Sequence, residues 1–327
     1  MREFLLDLLI CPYCKAGLKV SGAEYADKEI ESGDLVCRCG RRFPIQNGVP
    51  RFIKSDDYAR NFSFQWRRFA KTQLDSFNKT HISENRFTEI TGLTYDKLKG
   101  RLVLDVGCGA GRFLEIAAKS NSQVVGIDLS LAVDAAKANL KGFSNVHIVQ
   151  ADIFNLPFKP HSFDFVYSIG VLHNTSNPKK AFQCMASFLA KNANIAIWSS
   201  PKSRFPWLPT ATGIVRFFTP RLKPEFLLRL VRILVTASLP FVRIPFIGHL
   251  LKGKIIPICD YKNQLPLNDA QLLEWSVLDT FNILSPRYLY GYSPQEIESW
   301  FVESGLSDIH ITSPSVTGQA LFLKERA

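Results

Sequence analysis

The sequence predicts an α/β chain in three parts: a small β module, a mostly parallel sheet with helices on both faces, and a helical insert late in that sheet. Three observations carry this. From residue 101, short apolar runs of strand character alternate with helical stretches, the rhythm of repeated β-α units. Ahead of them lie two cysteine pairs in a polar, glycine-punctuated stretch. Residues 200–290 have no place in the alternation and are far too long for an ordinary loop.

The module comes first. "CPYC" at Cys11 and Cys14 suits either a redox dithiol or half of a metal site. A dithiol enzyme needs a strand before the motif and a helix opening at it, inside a βαβ unit. Only ten residues precede Cys11, and no crossover helix follows Lys19. A second pair follows instead, Cys37 and Cys39, so four thiolates spaced C-x2-C-x22-C-x-C are available to close a tetrahedral zinc site over a small β-ribbon. Four free thiols and a dithiol enzyme stay open as alternatives. "CPYCKAGL" and "CRCGRRFPIQNGVPRFI" resemble the small zinc-binding domain that activates tRNA and release-factor methyltransferases, over residues 1–54. That resemblance implies a partner domain that transfers methyl groups.

The bulk properties set bounds. A chain of 327 residues, 46% hydrophobic and 21% charged, is globular in composition and long enough for one large domain with an accessory module. Seven cysteines, four of them spoken for, leave Cys108, Cys184 and Cys259 scattered, as a reducing cytoplasm permits. "MREFLLDLLI", interrupted by Asp7, is too short an apolar run for a signal peptide or a spanning helix. The net charge of +11 is local. Residues 1–60 hold ten Lys or Arg against nine acids, whereas residues 204–258 hold nine against Glu225 alone.

The sheet elements follow in order. "RLVLDVG", "SQVVGIDLS", "NVHIVQAD", "SFDFVYSIG" and "ANIAIWSS" read as strands, with "AGRFLEIAAKS", "LAVDAAKANLKG" and "PKKAFQCMASFLA" as the helices between them. The first strand runs into Gly107-Cys108-Gly109-Ala110-Gly111, where glycines let the backbone turn tightly and a helix N-terminus faces a ligand. The third glycine comes one residue too early for a dinucleotide fingerprint. Asp128 ends the second strand, where a carboxylate can accept ribose hydroxyls, and Asp152 with Ile153 follows the third, where an adenine would lie. Capping a helix (Asp128) and a plain turn (Asp152) are the alternative roles. Ser293-Pro294-Gln295-Glu296 is a capping box that starts a helix ending at Gly305, and "SDIHITS" and "GQALFLKER" follow as a hairpin.

This set resembles the class I S-adenosylmethionine-dependent methyltransferases, nearest to the branch acting on quinones and sterols, over residues 100–200 and the C-terminus. The resemblance implies a Rossmann-like, seven-stranded, mostly parallel sheet closed by the hairpin. It implies S-adenosylmethionine held by Asp105, Gly107, Cys108, Gly109 and Gly111 at the methionine part, Asp128 and Leu129 at the ribose, Asp152 and Ile153 at the adenine, and Ser168 nearby. "VLHN" matches that family's "LHH"-type loop with Asn174 in place of the second His. His173 is the candidate general base, or a structural residue of that loop.

The expected organisation is thus a zinc ribbon at 1–54, a helical linker covering the cofactor site at 55–100, the methyltransferase core at 101–199, an insert at 200–290 and a closing segment at 291–327. In the insert, "KPEFLLRLVRILVTASLP" places Glu225, Arg229, Arg232 and Thr236 on a narrow polar stripe, with Pro240 past the helix end. It reads as a substrate lid with the stripe in water, or as a basic amphipathic helix on an anionic membrane reached through residues 204–258. Both readings favour a small hydrophobic or lipid-linked acceptor over an RNA groove, although Trp66, Arg67 and Arg68 keep RNA open. A non-catalytic cofactor-binding scaffold is the remaining alternative. The expected location is cytoplasmic, with peripheral contact to the inner face of the membrane.

Overall fold

The computed structural model describes residues 1–53, 59–202, 211–244, 255–312 and 316–322. The expected boundary at residues 54/55, residues Arg204, Lys252 and Lys254 of the basic segment, and the last residues of the closing strand lie outside the described residues.

Helix α1 (Glu3–Leu8) leads into a four-stranded antiparallel sheet, β1 (Leu18–Ala26), β2 (Glu29–Cys37), β3 (Arg42–Gln46) and β4 (Val49–Pro50), paired in chain order. Two tight turns set its register. Asp27-Lys28 and Asn47-Gly48 all have positive φ, the conformation that matches the twist of a two-residue hairpin. The module has no separate core. Leu5, Leu9, Leu35, Phe43 and Ile45 belong to one buried cluster with Leu156, Phe158 and Phe163 of the following domain. Its backbone is stitched on as well: Ile10 N–H donates to the Pro157 carbonyl at 2.9 Å and Phe52 N–H to that of Gln150 at 2.8 Å. Arg51, 7% exposed, reaches Gln150 Oε1 at 2.9 Å and Asp134 Oδ1 at 2.5 Å.

Four short helices follow, α2 (Arg60–Arg68), α3 (Asp75–Asn78), α4 (Ile82–Thr91) and α5 (Tyr95–Leu98). The large sheet then begins with β5 (Leu102–Val106), α6 (Arg112–Ala118), β6 (Gln123–Asp128), α7 (Ala132–Asn139), β7 (Val146–Gln150), β8 (Phe163–Ile169), α8 (Pro178–Ala186) and β9 (Leu189–Ser199). Strand β9 starts earlier than its alternation suggests. Leu189 pairs with Phe163, and Asn192, with φ of 60°, lies within the irregular stretch before regular pairing resumes at Asn194.

The insert contributes α9 (Ala211–Val215), α10 (Pro224–Val242) and α11 (Asp269–Leu284). Helix α11 opens on a capping box, Asn268 with Gln271. Helix α10 departs from expectation twice. It runs through Pro240, which sits in the last turn. Its polar stripe is also not simply a water face, because Arg232 pairs with Glu274 of α11 at 2.7 Å. Leu227, Val231, Val235 and Leu239 pack on Val277, Leu278 and Phe281 of α11, while Phe226, Leu230, Ile233 and Phe241 are exposed.

The chain closes with α12 (Pro294–Glu303), capped by Ser293 and Glu296 and left through Gly305 at φ 69°, then β10 (Ser307–Thr312) and β11 (Val316–Phe322). The seven strands lie in the order β10-β11-β9-β8-β5-β6-β7, parallel except for β11. The chain reverses direction across the sheet between β5 and β8. A crevice therefore opens there at the carboxyl ends of the strands, where ligands bind in open α/β sheets.

Candidate functional site

The cysteines converge as a closed cluster. Cys11 Sγ lies 3.8 Å from that of Cys39, Cys14 Sγ lies 3.3 Å from that of Cys37, and all four are within 4.8 Å of one another. Four sulfurs at Zn–S bonds of about 2.3 Å around a tetrahedral ion stand roughly 3.8 Å apart, so the donor set fits zinc. The contacts cross between the pairs, which suits a tetrahedron and not a Cys11–Cys14 dithiol. The single-residue spacing works because β2 ends at Cys37 and the chain turns at Gly40, φ 83°. The backbone N–H and guanidinium of Arg41 hold the Cys39 thiol below its ordinary pKa, whereas burial and the neighbouring sulfurs push that of Cys37 up.

The glycine turn is built as a close approach. Both Gly107 and Cys108 donate their N–H groups to the Ile127 carbonyl at 2.8 Å, tying the turn to β6. A Cβ on Gly107 would stand 2.4 Å from Val171 Cγ2, and one on Gly109 would meet the Trp66 ring at 3.2 Å. Both residues have positive φ, so two constraints reserve these positions for glycine. Gly111 differs. It starts α6 at φ 94° and faces Leu140, so it serves helix packing and does not line a cavity.

Two adjacent chambers flank this turn. The smaller, about 370 Å³, is walled by Gly107, Asp128, Leu129, Asp152, Ile153 and Phe154, with Phe62, Trp66 and Tyr288 from outside the sheet. Asp128 caps no helix. Its Oδ2 accepts from Gly109 N–H at 2.9 Å, and its Oδ1 accepts from Ser130 N–H at 2.8 Å and Ser130 Oγ–H at 2.6 Å. A carboxylate offers about four acceptor directions, so one is left for a ligand. Burial raises its pKa. Asp152 accepts from Phe154 N–H at 3.0 Å and caps a short 3-10 turn, which sets Ile153 and Phe154 against the chamber.

The larger chamber, about 1250 Å³, shares Trp66, Gly107, Ile169, Gly170, Asn174 and Asn282 with the smaller one. Its far wall is aromatic and basic, with Trp198, Trp275, Arg86 and Arg112. The Arg112 Nε–H donates to Ser83 Oγ at 2.9 Å and its guanidinium lies 5.3 Å from the Trp275 ring; burial lowers its pKa to about 10. Asp279 accepts from Tyr261 OH at 2.6 Å, Trp275 Nε1–H at 3.0 Å and Gln73 Nε2–H at 3.2 Å, and burial raises its pKa.

His173 lines this chamber but is set up against basicity. Its Nδ1 accepts the Ser200 backbone N–H at 3.3 Å, which places the proton of the neutral ring on Nε2. Burial lowers its pKa to about 4, so at neutral pH the ring is a hydrogen-bond donor and a poor proton acceptor. Asp105 and Ser168 lie beneath the turn and line neither chamber. Ser168 Oγ–H donates to the Val106 carbonyl at 2.8 Å, joining β8 to β5. Asp105 is 2% exposed beside Tyr167, and burial pushes its pKa up to about 8. The chamber residues Arg86, Arg112, Trp198, Trp275 and Asp279 come from four separate stretches of chain, and no motif of the sequence marks Arg86, Arg112 or Trp198 as chamber residues.

Residues 104–197 match the family described as methyltransferase domain, and residues 2–48 the family described as Trm112p-like protein. The chain carries an S-adenosylmethionine-dependent methyltransferase domain joined to a Trm112p-like module. The methyltransferase domain is similar to the O-methyltransferase rstn1 of Aspergillus nomiae, at 30% identity over 36% of this chain and 54% of that one. It is also similar to the tRNA (carboxymethyluridine(34)-5-O)-methyltransferase of Saccharomyces cerevisiae, at 29% identity over 34% of this chain and 39% of that one. The chain spans between 21% and 54% of the length of such curated relatives. Among solved structures, the complex between the Haloferax volcanii Trm112 methyltransferase activator and a methyltransferase has a chain matching at 12% identity. It covers 81% of this chain and 99% of that one, with a TM-score of 0.45. No helix among the described residues is long and apolar enough to cross a membrane.

Proposed function

We propose that this methyltransferase domain moves the methyl group of S-adenosylmethionine to a small, apolar or lipid-linked acceptor bound in the larger chamber. The observation that supports this reading best is the pair of adjacent chambers that share the glycine turn as a wall. One has the acceptor groups and apolar walls of a nucleoside site, and the other is several times larger, with indole walls. In this reading Asp128 takes a ribose hydroxyl, and Asp152, Ile153 and Leu129 hold the adenine side. Gly107, Cys108 and Gly109 lie along the methionine part. Asp105 and Ser168 act by holding the turn from below, and the four cysteines hold a structural zinc ion. S-adenosylmethionine supplies the sulfonium methyl. This chain's residues hold acceptor and methyl in line and keep water out, which can supply much of the rate of such a displacement. His173 serves as a donor that orients the acceptor.

Calorimetry with S-adenosylmethionine tests the assignment. Asp128→Ala should weaken binding by roughly 2–4 kcal/mol, since it removes a charged acceptor and frees the Gly109 N–H that steadies the turn. Unchanged affinity in a folded variant would assign the carboxylate to the turn alone. An RNA acceptor is the second reading. It is favoured by the tRNA-methyltransferase name of the yeast relative and by a groove where Arg67, Arg68 and Lys71 lie beside Phe77, 57% exposed. RNA retention that falls steeply with salt and is lost in Arg67→Gln/Lys71→Gln would favour it over the small acceptor.

A further inference from the structure

The insert shows solvent a surface that a globular domain normally buries. Helix α10 exposes Phe226 (51%), Leu230 (42%), Ile233 (66%) and Phe241 (58%), with exposed Ala237 between them. These fall at i, i+4, i+7, i+11 and i+15, which is one face of the helix. Helix α9 and the turn after it add Ile214, Phe217 and Phe218, and Ile244 follows α10. Eight of the fifteen large hydrophobic residues exposed among the described residues therefore sit between residues 214 and 244. The opposite face of the helix is fully used against α11, so the exposed one is not a misplaced core.

Charge identifies what this face suits. Arg221, Lys223 and Arg229 are exposed around it and make no ion pair among the described residues, and Glu225 is the one acid of the helix. Over residues 204–258 the sequence carries nine basic residues against that single acid. We propose that the exposed face of α10, with the turn before it, is a docking surface for an anionic lipid bilayer. The helix lies in the interface plane, its phenylalanine and isoleucine side chains reach the acyl boundary, and Arg221, Lys223 and Arg229 meet the lipid phosphates. A second copy of the chain fits less well, because a two-fold contact would set these like charges against their own images. A bilayer supplies both an apolar interior and opposite charge. Helix α11, on which α10 packs, also contributes Trp275 and Asp279 to the larger chamber, so docking brings that chamber within about one helix diameter of the lipid.

The inference does not depend on the methyl-transfer reading. The test is co-sedimentation of the zinc-loaded full chain with vesicles of phosphatidylglycerol and phosphatidylcholine, against vesicles of phosphatidylcholine alone, at low and high salt. The chain should partition onto the anionic vesicles. Phe226→Glu/Ile233→Glu should reduce partitioning at least tenfold, with thermal midpoint and S-adenosylmethionine affinity unchanged. Lys223→Gln/Arg229→Gln should reduce it several-fold at low salt and hardly at all at high salt. Three outcomes overturn the proposal: a wild-type chain that stays in the supernatant with both vesicles, equal binding by the Phe226/Ile233 variant, or a wild-type dimer that this variant dissociates without any vesicle binding. An effect of the basic pair on RNA retention alone would hand these charges to the RNA reading.

Discussion

The Trm112p-like module and the insert are both additions to the seven-stranded sheet, and they dispose of apolar surface in opposite ways. The module turns it inward: Leu5 and Leu9 are fully buried against the domain, and Phe43 and Ile45 join the same cluster. The insert buries one side of α10 and leaves the other in water. Size accounts for part of the contrast. A single small four-stranded sheet encloses too little area to stand alone, so it relies on zinc and on its host. Helices α10 and α11 already make a core with each other, and a further apolar face adds nothing to their stability. A surface kept without a folding role is more informative about function than one the fold requires.

Removal of zinc should break this comparison most severely. Zinc binding in small peptide modules is worth about 10–16 kcal/mol, and the four cysteines are the module's only cross-links among the described residues. Because the module shares its core with β7, β8 and the turn at Phe158, chelation or Cys37→Ser should expose part of the large sheet too. Amide exchange should show protection lost along β7 together with β1–β4. Loss confined to residues 1–53 would mean that the module folds and unfolds by itself.

Arg51 is the next point of attack. It spans from the end of the module to Gln150 on β7 and Asp134 on α7, almost fully buried. Arg51→Met keeps the apolar stem and removes both contacts, which should cost about 2 kcal/mol in guanidinium unfolding, the scale of a lost charged hydrogen bond when the partner carboxylate of Asp134 is left partly in water. A loss below 0.5 kcal/mol, the size of an ordinary surface change, would show the junction is held by packing alone.

Acid should weaken the same junction. His147 stacks on Phe4 of the module at 4.8 Å between ring centres, and burial lowers its pKa to about 4. In the unfolded chain it protonates near its usual pKa of about 6.5. The unfolded state therefore takes up the proton first as pH falls. The stability this histidine contributes is complete above about pH 6.5 and is lost on the way down to about pH 4, by up to about 3 kcal/mol. Asp105, held up to about 8, acts in the other direction, losing stability as pH rises from about 4 to about 8. His147→Gln isolates the first effect, since its melting temperature should fall less than the parent's between pH 7 and 4.5.

The sequence was most legible where one local rule decides the structure. The capping box at Ser293, the glycine turn at Gly107 and the strand alternation from residue 101 each state their own geometry, and the carboxylates of the smaller chamber, Asp128 and Asp152, follow from strand ends. What stayed hidden depends on pairs distant in the chain. Arg112 and Asp279 share a chamber only because α11 folds back over α6, and no periodicity encodes that. His173 reads from the sequence equally as a base or as a structural residue of its loop, because residue type says nothing of a neighbour such as Ser200, whose N–H occupies Nδ1. The stripe on α10 was correctly periodic, yet periodicity does not say which side meets the protein. Only the partner α11 settles that, and it left the apolar arc outside.

The smallest expected effect tests that last point most sharply. Val235 and Ile233 are neighbours on α10, of similar type, 0% and 66% exposed. Val235→Ala removes two methyl groups from the contact with α11 and should cost about 2 kcal/mol through lost burial and the space left behind. Ile233→Ala should change stability by less than about 0.5 kcal/mol, and should tend to raise it, because alanine is the better helix former and the isoleucine is mostly exposed. Chemical denaturation of both variants, at equal slope, reads the difference directly. If Ile233→Ala costs as much as Val235→Ala, the arc is covered by protein in solution and the contrast between module and insert disappears. If only the buried substitution registers, the chain keeps Phe226, Leu230, Ile233 and Phe241 for contacts outside its own fold.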